Sequence, residues 1–258
     1  MGKIIAVANQ KGGVGKTTTA VNLSACLATL KKKVLLIDFD PQGNASSGVG
    51  VDKEAVEQSI YDVLINDYAI SDVLLETNIK NLFVCPATID LAGAEVELVS
   101  MENRNYLLKE ALQPVRDDFD FIIMDCPPSL GLLTLNAFSA ADSLLVPIQC
   151  EYYSLEGLSM LTKTILNLKQ SLNPALVFEG ILLTMYDPRT NLSNQVTEEV
   201  KKYFANDVFK TVIPRNVRLS EAPGYGEPII SYDKHSKGAR SYLKLAKEVI
   251  KNNQKKES

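Results

Sequence analysis

The chain has 258 residues, of which 46% are hydrophobic, and its 27 lysines and arginines against 31 aspartates and glutamates give a net charge of −4. This length and apolar content suffice for one α/β domain with a buried core. No uninterrupted run of about 18 apolar residues is present, and the first ten residues, MGKIIAVANQ, lack the features of a signal peptide. The composition therefore excludes an ordinary membrane-spanning or secreted protein and predicts a cytoplasmic one.

The charge is distributed unevenly along the chain. The overall acidity is unusual for a domain that binds nucleic acid constitutively. Residues 189–258, however, carry 14 lysines and arginines against 8 aspartates and glutamates. Because a polyanion is attracted to the basic part of a protein, we expect any contact with nucleic acid to involve this C-terminal third.

Apolar runs of buried-strand length alternate with helical patterns through most of the chain. This alternation predicts a single α/β domain over residues 1–250, with a mainly parallel twisted sheet and helices on both faces. The polar residues 251–258 predict a disordered tail. The predicted strands are Ile4–Ala8, Val34–Ile37, Leu82–Cys85, Phe119–Met124, Leu144–Ile148, Phe178–Leu183 and Val208–Ile213, and the predicted helices are Thr17–Leu30, Leu155–Leu172, Leu192–Phe204 and Ala239–Ile250.

A glycine-rich segment joins the first predicted strand directly to the first predicted helix. Its glycines allow successive backbone N–H groups to point at phosphate oxygens, and the N-terminus of the helix adds partial positive charge. Lys16 can neutralise the β- and γ-phosphates of a nucleotide, and the Thr17 hydroxyl can bind Mg²⁺. The alternative is a structural glycine turn, but the strand–loop–helix context favours a phosphate-binding loop. The predicted nucleotide-binding residues of this segment are Lys11, Gly12, Gly13, Val14, Gly15, Lys16, Thr17 and Thr18.

Three carboxylates follow buried strands, at the edge where open parallel sheets build their sites. Strand alternation places Asp38 and Asp40 on the same side. We therefore expect Asp38 to order the Mg²⁺ shell and Asp40 to position the attacking water, while Asp125 holds Mg²⁺ through water. The alternative for Asp40 is a turn-capping residue ahead of Pro41.

Residues 11–17 read KGGVGKT, and Gln10 takes the place of the first glycine of an ordinary Walker A loop. The additional lysine, Lys11, resembles that of the deviant Walker A loop of the ParA/MinD family of ATPases. In this family the lysine contacts the nucleotide of the other subunit, which implies an ATP-bound homodimer in which Lys11 acts in trans. The alternative is that Lys11 is a solvated surface lysine.

The resemblance continues through nearly the whole chain. The segments 38–44 (DFDPQGN), 125–129 (DCPPS), 149–153 (QCEYY) and 213–223 (IPRNVRLSEAP) look closest to the chromosomal ParA/Soj branch. The resemblance implies that Asp40 is needed for hydrolysis and that Pro214 and Asn216 contact adenine. No guanine-recognition motif NKxD is present, which favours ATP and ADP over guanine nucleotides. The predicted catalytic residues are Lys11, Lys16 and Asp40.

The resemblance implies a chromosome- or plasmid-partitioning ATPase associated with the nucleoid. ATP-driven dimerisation would switch on non-specific DNA binding, and hydrolysis stimulated by a ParB-like centromere-binding protein would release the DNA. Slow intrinsic turnover is expected, because no arginine finger is obvious. Arg189 and Arg218 match positions that carry DNA binding in Soj-like proteins, although ordinary solvated arginines are the alternative. The predicted DNA-binding residues are Arg189, Arg215, Arg218, Lys234, Lys237 and Arg240.

Other members of the family have different functions. A MinD-like division-site ATPase needs a membrane-binding helix, but the sequence after Ile250 has charge and no bulky apolar residue, so we expect no membrane association. The first strand begins at Lys3, which leaves no room for an operator-binding domain ahead of it. The four cysteines lie in apolar settings and are expected to be buried thiols rather than ligands of an iron–sulfur cluster. A regulatory nucleotide-binding protein without turnover is the other alternative, and Asp40 disfavours it.

Overall fold

A computed structural model describes residues 1–151, 169–204 and 207–256 of the chain. Its central feature is a seven-stranded sheet in the order β3-β4-β2-β5-β1-β6-β7. Only the short edge strand β3 runs antiparallel to its neighbour. The strands are β1 (Lys3–Val7), β2 (Val34–Asp38), β3 (Leu75–Glu76), β4 (Leu82–Cys85), β5 (Phe121–Asp125), β6 (Ser143–Gln149) and β7 (Val177–Thr184).

Helices cover both faces of the sheet. One face packs against α1 and α10, and the other against α3 to α6, so that two apolar cores lie on opposite sides of the same strands. The described helices are α1 (Lys16–Thr29), α2 (Asn44–Gly48), α3 (Ile60–Ile65), α4 (Leu91–Glu97), α5 (Leu107–Leu112), α6 (Leu132–Ala140), α7 (Asn191–Tyr203), α8 (Val217–Glu221), α9 (Ile229–Tyr232) and α10 (Lys237–Lys256).

The central strands are continuous apolar runs because both of their faces are covered. Every residue of β2 and β5 is buried, including the aspartate that ends each strand. These observations confirm the predicted fold class, a mainly parallel α/β sheet with helices on both sides.

The predicted strand Val208–Ile213 is wrong as a regular strand. The segment runs beside β7, but it forms only isolated bridges, at Val208 and at Pro214. In between, the backbone N–H groups of Lys210 and Thr211 donate to the carboxylate of Glu248, on α10, at 2.7 and 3.0 Å. Phe209 N and Ile213 N do donate to β7, so Glu248 takes from sheet pairing the one N–H between them that would face β7, that of Thr211.

The predicted disordered tail from residue 251 is also wrong where the structure describes it, since α10 continues to Lys256. Asn253 is buried, and its amide nitrogen donates to Glu179 Oε1 at 2.7 Å and to the Val249 carbonyl at 3.0 Å. This polar anchor on β7 holds a turn of helix that lacks apolar residues. The predicted helix Leu155–Leu172 lies almost wholly outside the described residues.

The sheet order determines where a site can form. β5 lies between β1 and β2, and Asp125 pairs in register with Val7 on one side and with Asp38 on the other. The carboxyl ends of three adjacent strands thus bring the glycine loop and two aspartates to the same edge, as expected for ligand sites of open parallel sheets.

Candidate nucleotide-binding site

The glycine loop between β1 and α1 has a conformation that requires its glycines. Gly13 and Gly15 have φ angles of 71° and 89°, in the left-handed region that favours glycine. A Cβ atom on Gly12 or Gly13 would meet no protein atom within 4 Å. The inner side of the loop is therefore open, and space for a ligand lies directly against the backbone.

Side-chain hydrogen bonds fix the loop to the neighbouring strands. The Asn9 amide nitrogen donates to the Pro147 carbonyl at 2.7 Å, and its oxygen accepts from Lys11 N at 3.0 Å. The Thr184 hydroxyl, at the end of β7, donates to the Val14 carbonyl at 2.8 Å. The loop is thus held from β6 and from β7 in advance of any ligand, which lowers the entropic cost of binding.

Lys16 begins α1 and points back along the loop. Its side chain is buried, and Nζ donates to the Lys11 carbonyl at 3.2 Å. Burial lowers the pKa of the Lys16 ammonium, and the charges of Asp125 and Asp40 oppose this shift. An ammonium has three donors, so this buried cation is suited to bind phosphate oxygens.

Asp125 is a buried carboxylate without a partner. It is 0% exposed, and neither of its oxygens has a hydrogen-bond partner within the described part of the chain. Burial, and then the charge of Asp38, raises the pKa of Asp125 well above its usual range, while the neighbouring Thr17 hydroxyl and Lys16 lower it. An unpaired buried carboxylate is costly, and a hydrated Mg²⁺ would satisfy it. Asp125 and Thr17 therefore fit the predicted magnesium site.

Asp38 lies beside Asp125 but is already hydrogen-bonded. Its Oδ2 accepts from Ser46 N and from Ser46 Oγ, both at 2.7 Å, and Oδ1 accepts from Asp40 N at 3.3 Å. Burial raises the pKa of the Asp38 carboxyl to about 6. Asp38 thus anchors α2 to the sheet, and its role in ordering the shell of a metal stays a prediction.

Asp40 forms a local turn, which is the alternative considered for it, and its role in positioning water stays a prediction. Its Oδ1 accepts from Gln42 N at 3.0 Å and its carbonyl accepts from Gly43 N at 2.9 Å, which is the local turn expected of an Asp before proline. Its charge also acts on Lys16. The turn therefore fixes a half-buried carboxylate close enough to Lys16 for their charges to interact.

A cavity of about 570 Å³ lies next to the glycine loop. Pro214 and Asn216, the predicted adenine contacts, both line it, and Asn216 Oδ1 also accepts from Arg218 N at 2.9 Å as the N-cap of α8. At the end of β7, Met185 has a φ of 52°, and the next residue, Tyr186, pairs with the 213–215 segment. The other lining residues are Gly15, Thr18, Thr184, Ile213, Arg215, Val217, Leu219, Ser220, Pro223 and Tyr242.

Comparisons with known proteins agree with this geometry. Residues 2–178 match the family described as AAA domain. The chain is 62% identical over 252 residues to the sporulation initiation inhibitor protein Soj of Bacillus subtilis, covering 98% of this chain and 100% of that protein. This chain belongs to the ParA/MinD family of P-loop ATPases.

Further relatives of this ParA/MinD-family chain carry related names. It is 58% identical to the chromosome partitioning protein ParA of Myxococcus xanthus, over 97% of this chain and 89% of that protein. Among solved structures, cobyrinic acid a,c-diamide synthase of Mycobacterium smegmatis, with bound ADP and magnesium, is 38% identical with a TM-score of 0.86. That match covers 98% of this chain and 96% of the synthase. The resemblance inferred from the sequence motifs is thereby confirmed.

In this ParA/MinD-family chain the signature lysine contacts a glutamate of its own subunit. Lys11 Nζ lies 3.7 Å from Glu151 Oε2, and both side chains are more than 40% exposed. Glu151 Oε1 in turn accepts from Gln149 Nε2 at 2.6 Å. The sequence interpretation did not assign Glu151 a role, although it belongs to the QCEYY segment. An exposed pair is weak, so Lys11 can exchange it for another anion.

The predicted DNA-binding residues are all exposed, and the structure links them in two groups. Arg189 Nη2 lies 2.7 Å from Asp187 Oδ2. The charge of Arg215 also helps to lower the pKa of Asp187, so Arg215 lies near this pair. Arg218 pairs with Glu221 at 2.9 Å and lies 3.8 Å from Asp233, next to Lys234. Lys237 and Arg240 follow in the first turn of α10.

The C-terminal helix does not favour the alternative of a MinD-like ATPase that binds membranes. The apolar side of α10 is buried against α1 and the sheet, and its residues Tyr242, Leu245 and Val249 are at most 1% exposed. Within the described ranges, no helix is long and apolar enough to cross a membrane. The four cysteines are buried free thiols, as predicted.

Proposed function

We propose that this ParA/MinD-family ATPase partitions chromosomes or plasmids, by binding DNA as an ATP-dependent homodimer and releasing it after hydrolysis. The observation that carries its ATPase chemistry is the buried, unpartnered Asp125 close to Lys16 at the end of an open glycine loop. The relative named chromosome partitioning protein ParA supports partitioning as the process that this chemistry serves.

Different residues of the site bind different parts of the nucleotide. The N–H groups from Gly12 to Thr18 bind phosphate oxygens, and Lys16 neutralises the β- and γ-phosphates. Thr17, with Asp125 through water, would hold Mg²⁺, and Asp38 would order the surrounding shell. Mg²⁺, when bound, stabilises the charge that develops on the phosphates. Pro214 and Asn216 bind the adenine in the neighbouring cavity.

Hydrolysis depends on Asp40. Its carboxylate is fixed by the turn at Gln42, and we infer that it orients the water that attacks the γ-phosphate. Turnover is slow in the isolated protein, and a ParB-like centromere-binding protein stimulates it. The ATP-bound form is therefore long-lived and is hydrolysed when the ParB-like protein binds.

Dimerisation couples the nucleotide to DNA. Lys11 leaves Glu151 and completes the site of the other subunit, which makes the dimer dependent on ATP. Two subunits then present twice the number of phosphate-binding side chains on one surface, which strengthens weak contacts through effective concentration. Such contacts carry no sequence information, so the DNA is bound non-specifically at the nucleoid. The side chains involved are Arg189, Arg215, Arg218, Lys234, Lys237 and Arg240.

The test is retention of the purified protein on non-specific duplex DNA at a fixed, moderate salt concentration, with ATP, with ADP and without nucleotide. We expect retention only with ATP. A protein that binds and hydrolyses ATP but is never retained would contradict the DNA switch and leave the ATPase assignment intact.

A further inference from the structure

The turn at residues 40–43 contains Asp40 and is closed by hydrogen bonds of its own segment. Gln42 N donates to Asp40 Oδ1 at 3.0 Å, and Gly43 N donates to the Asp40 carbonyl at 2.9 Å. Ser47 N donates to the Gly43 carbonyl at 3.1 Å, which joins the turn to α2. These local bonds determine the shape of the turn. A contact from outside the segment therefore bears on where the turn holds the Asp40 carboxylate.

Lys53 contacts this turn from outside its segment. The Lys53 Nζ donates to the Gln42 carbonyl at 2.8 Å, a short bond of the charge-assisted kind. The aliphatic part of the same side chain lies over Gly43, because a Cβ atom on Gly43 would come 2.6 Å from Lys53 Cδ and 2.8 Å from the Ala87 carbonyl oxygen. Gly43 has a φ of 61°, in the region that favours glycine. The turn is thus enclosed between Lys53 and the backbone that follows β4.

The chain after α2 folds back and brings Lys53 to the turn. Val51 N donates to the Ser46 carbonyl at 3.1 Å, at the end of α2. Asp52 Oδ1 then accepts from Glu54 N at 3.1 Å and caps the short helical turn in which Lys53 lies. Because Lys53 is exposed, packing in the core does not account for its position. Local hydrogen bonds instead place Lys53 beside the turn, although the residue lies outside the DFDPQGN segment.

We propose that Lys53 is a positioning residue for ATP hydrolysis, which holds the turn that contains Asp40. This inference rests on the proposed function, in which Asp40 orients the attacking water. Lys53 acts through the main chain, since its ammonium binds the Gln42 carbonyl, two residues after Asp40. Displacement of a positioned group by about 1 Å can lower a rate up to about a hundredfold. Because the glycine loop and Lys16 bind the phosphates, Lys53 should affect the rate of hydrolysis and leave the affinity for ATP unchanged.

The substitution Lys53→Met isolates the ammonium, because methionine keeps an unbranched side chain over Gly43 and lacks the donor. Single-turnover hydrolysis of ATP with Mg²⁺ by the full chain measures the rate, and nucleotide titration measures the affinity. We expect the rate to fall about tenfold and the ATP affinity to change by less than about threefold. Lys53→Arg, which retains a cationic donor, should restore most of the rate. Lys80→Met, at an exposed lysine before β4, is the matched control and should hydrolyse ATP normally.

A double variant tests whether Lys53 acts through Asp40. In Asp40→Ala the group that Lys53 positions is absent, so the addition of Lys53→Met should slow hydrolysis by less than about twofold further. A further tenfold loss of rate would mean that Lys53 acts independently of Asp40 and would overturn the proposal. An unchanged rate for Lys53→Met alone, or a loss of ATP affinity as large as its loss of rate, would overturn it as well. Thermal melts of each variant check the fold.

The single variant Asp40→Ala separates this inference from the proposed function. Slow hydrolysis by Asp40→Ala together with a normal rate for Lys53→Met would overturn the role of Lys53 and leave that of Asp40 intact. Normal hydrolysis by Asp40→Ala would contradict the role of Asp40, and the role of Lys53 with it. Because the assays contain no DNA, failure of the proposed DNA switch would leave their results unaffected.

Discussion

Charged side chains are buried in the phosphate loop region and exposed in the basic C-terminal region. At the phosphate loop, Lys16, Asp38 and Asp125 are buried, and Asp125 lacks any hydrogen-bond partner among the described residues. In the basic region, Arg189 and Arg218 are exposed, and each is already paired with a carboxylate of its own chain. The first region has a buried carboxylate without a hydrogen-bond partner, while in the second these two arginines are solvated and paired.

This difference sets the size of the effects expected from substitutions. Removing one member of a buried charged set costs several kcal/mol, because the remaining charges lose their compensation. Removing an exposed arginine costs little more than the contact it makes with a phosphate. The following substitutions test whether the two regions differ to that extent.

The largest effect is expected for Asp40→Ala. Loss of a group that positions the reacting water should lower kcat by about a hundredfold or more, since positioned acid–base groups contribute about 10²–10⁴-fold. ATP affinity should change by less than about threefold, because the loop and Lys16 are retained. Single-turnover hydrolysis and nucleotide titration measure the two quantities, with Asp72→Ala, at an exposed position, as control. Normal hydrolysis by Asp40→Ala would reassign the water-positioning role.

Lys16→Ala should weaken ATP binding by at least about thirtyfold, the lower end of the range for truncating a buried charged partner. The reason is that the buried ammonium is placed to bind phosphate and has only one hydrogen bond to the loop, the Lys11 carbonyl. Calorimetric titration with ATP and Mg²⁺ tests this, and Lys80→Ala, at an exposed lysine before β4, is the matched control. Similar affinities for both variants would remove Lys16 from the site.

In the basic region, Arg189→Ala and Arg218→Ala should each weaken ATP-dependent DNA binding by only several-fold, and by up to about tenfold if a full phosphate contact is lost at about 0.1 M salt. The sharper test is Asp187→Asn. Arg189 holds the pKa of Asp187 down at about 2, which reflects a charged pair that competes with DNA. Removing that competitor should strengthen DNA retention. Weaker retention would mean that Asp187 positions Arg189 for DNA.

Asp125→Asn should abolish Mg²⁺-dependent turnover and yet stabilise the nucleotide-free protein. Relieving the buried negative charge should raise the free energy of unfolding by about 1 kcal/mol, or roughly 2–4 °C in melting temperature for a chain of this size. Thermal melts of both proteins without nucleotide measure the difference. A lower melting temperature for Asp125→Asn would show that the charge is compensated in the folded protein.

The pH dependence of stability provides a second test of Asp125→Asn. The pKa of Asp38 is raised to about 6 and that of Asp125 is also raised, so the folded chain binds protons more tightly than the unfolded one. The stability of the nucleotide-free protein should therefore fall as pH rises from about 4, the unfolded carboxyl pKa, to about 6 and above. Asp125→Asn should flatten this decline. A stability that rises between about pH 4 and pH 6 would contradict the raised pKa values of Asp38 and Asp125.

The local parts of the site could be predicted from the sequence, and the long-range parts could not. The glycine loop, Lys16 and Thr17 are contiguous, so their order between a strand and a helix is visible in the sequence, whereas the contacts of the loop with Pro147 and Thr184 are not. The proximity of Asp38 and Asp125 follows from the rule that parallel strands end at one edge. The central sheet was predictable for the same reason, because its buried strands are continuous apolar runs.

Contacts between distant residues escaped the sequence interpretation. Glu248 takes the backbone N–H of Thr211 from sheet pairing, and Asn253 reaches Glu179 to extend α10, and neither partner is visible in a local pattern. The pairing of Arg189 with Asp187 is local, but it depends on a choice of rotamer that spacing does not specify. Polar side chains acting across the fold thus account for most of the differences.

The pair between Lys11 and Glu151 has a consequence for protein concentration. Its formation within one chain does not depend on concentration, whereas the proposed contact of Lys11 with a second subunit does. Each dimer breaks two such pairs, so a pair worth about 0.5 kcal/mol would raise the dimer dissociation constant about fivefold. Glu151→Gln should lower the midpoint of ATP-dependent dimerisation by that factor in sedimentation experiments, and an unchanged midpoint would leave the pair without influence. A weak surface contact would then set a threshold abundance, below which the protein stays monomeric even when ATP is plentiful.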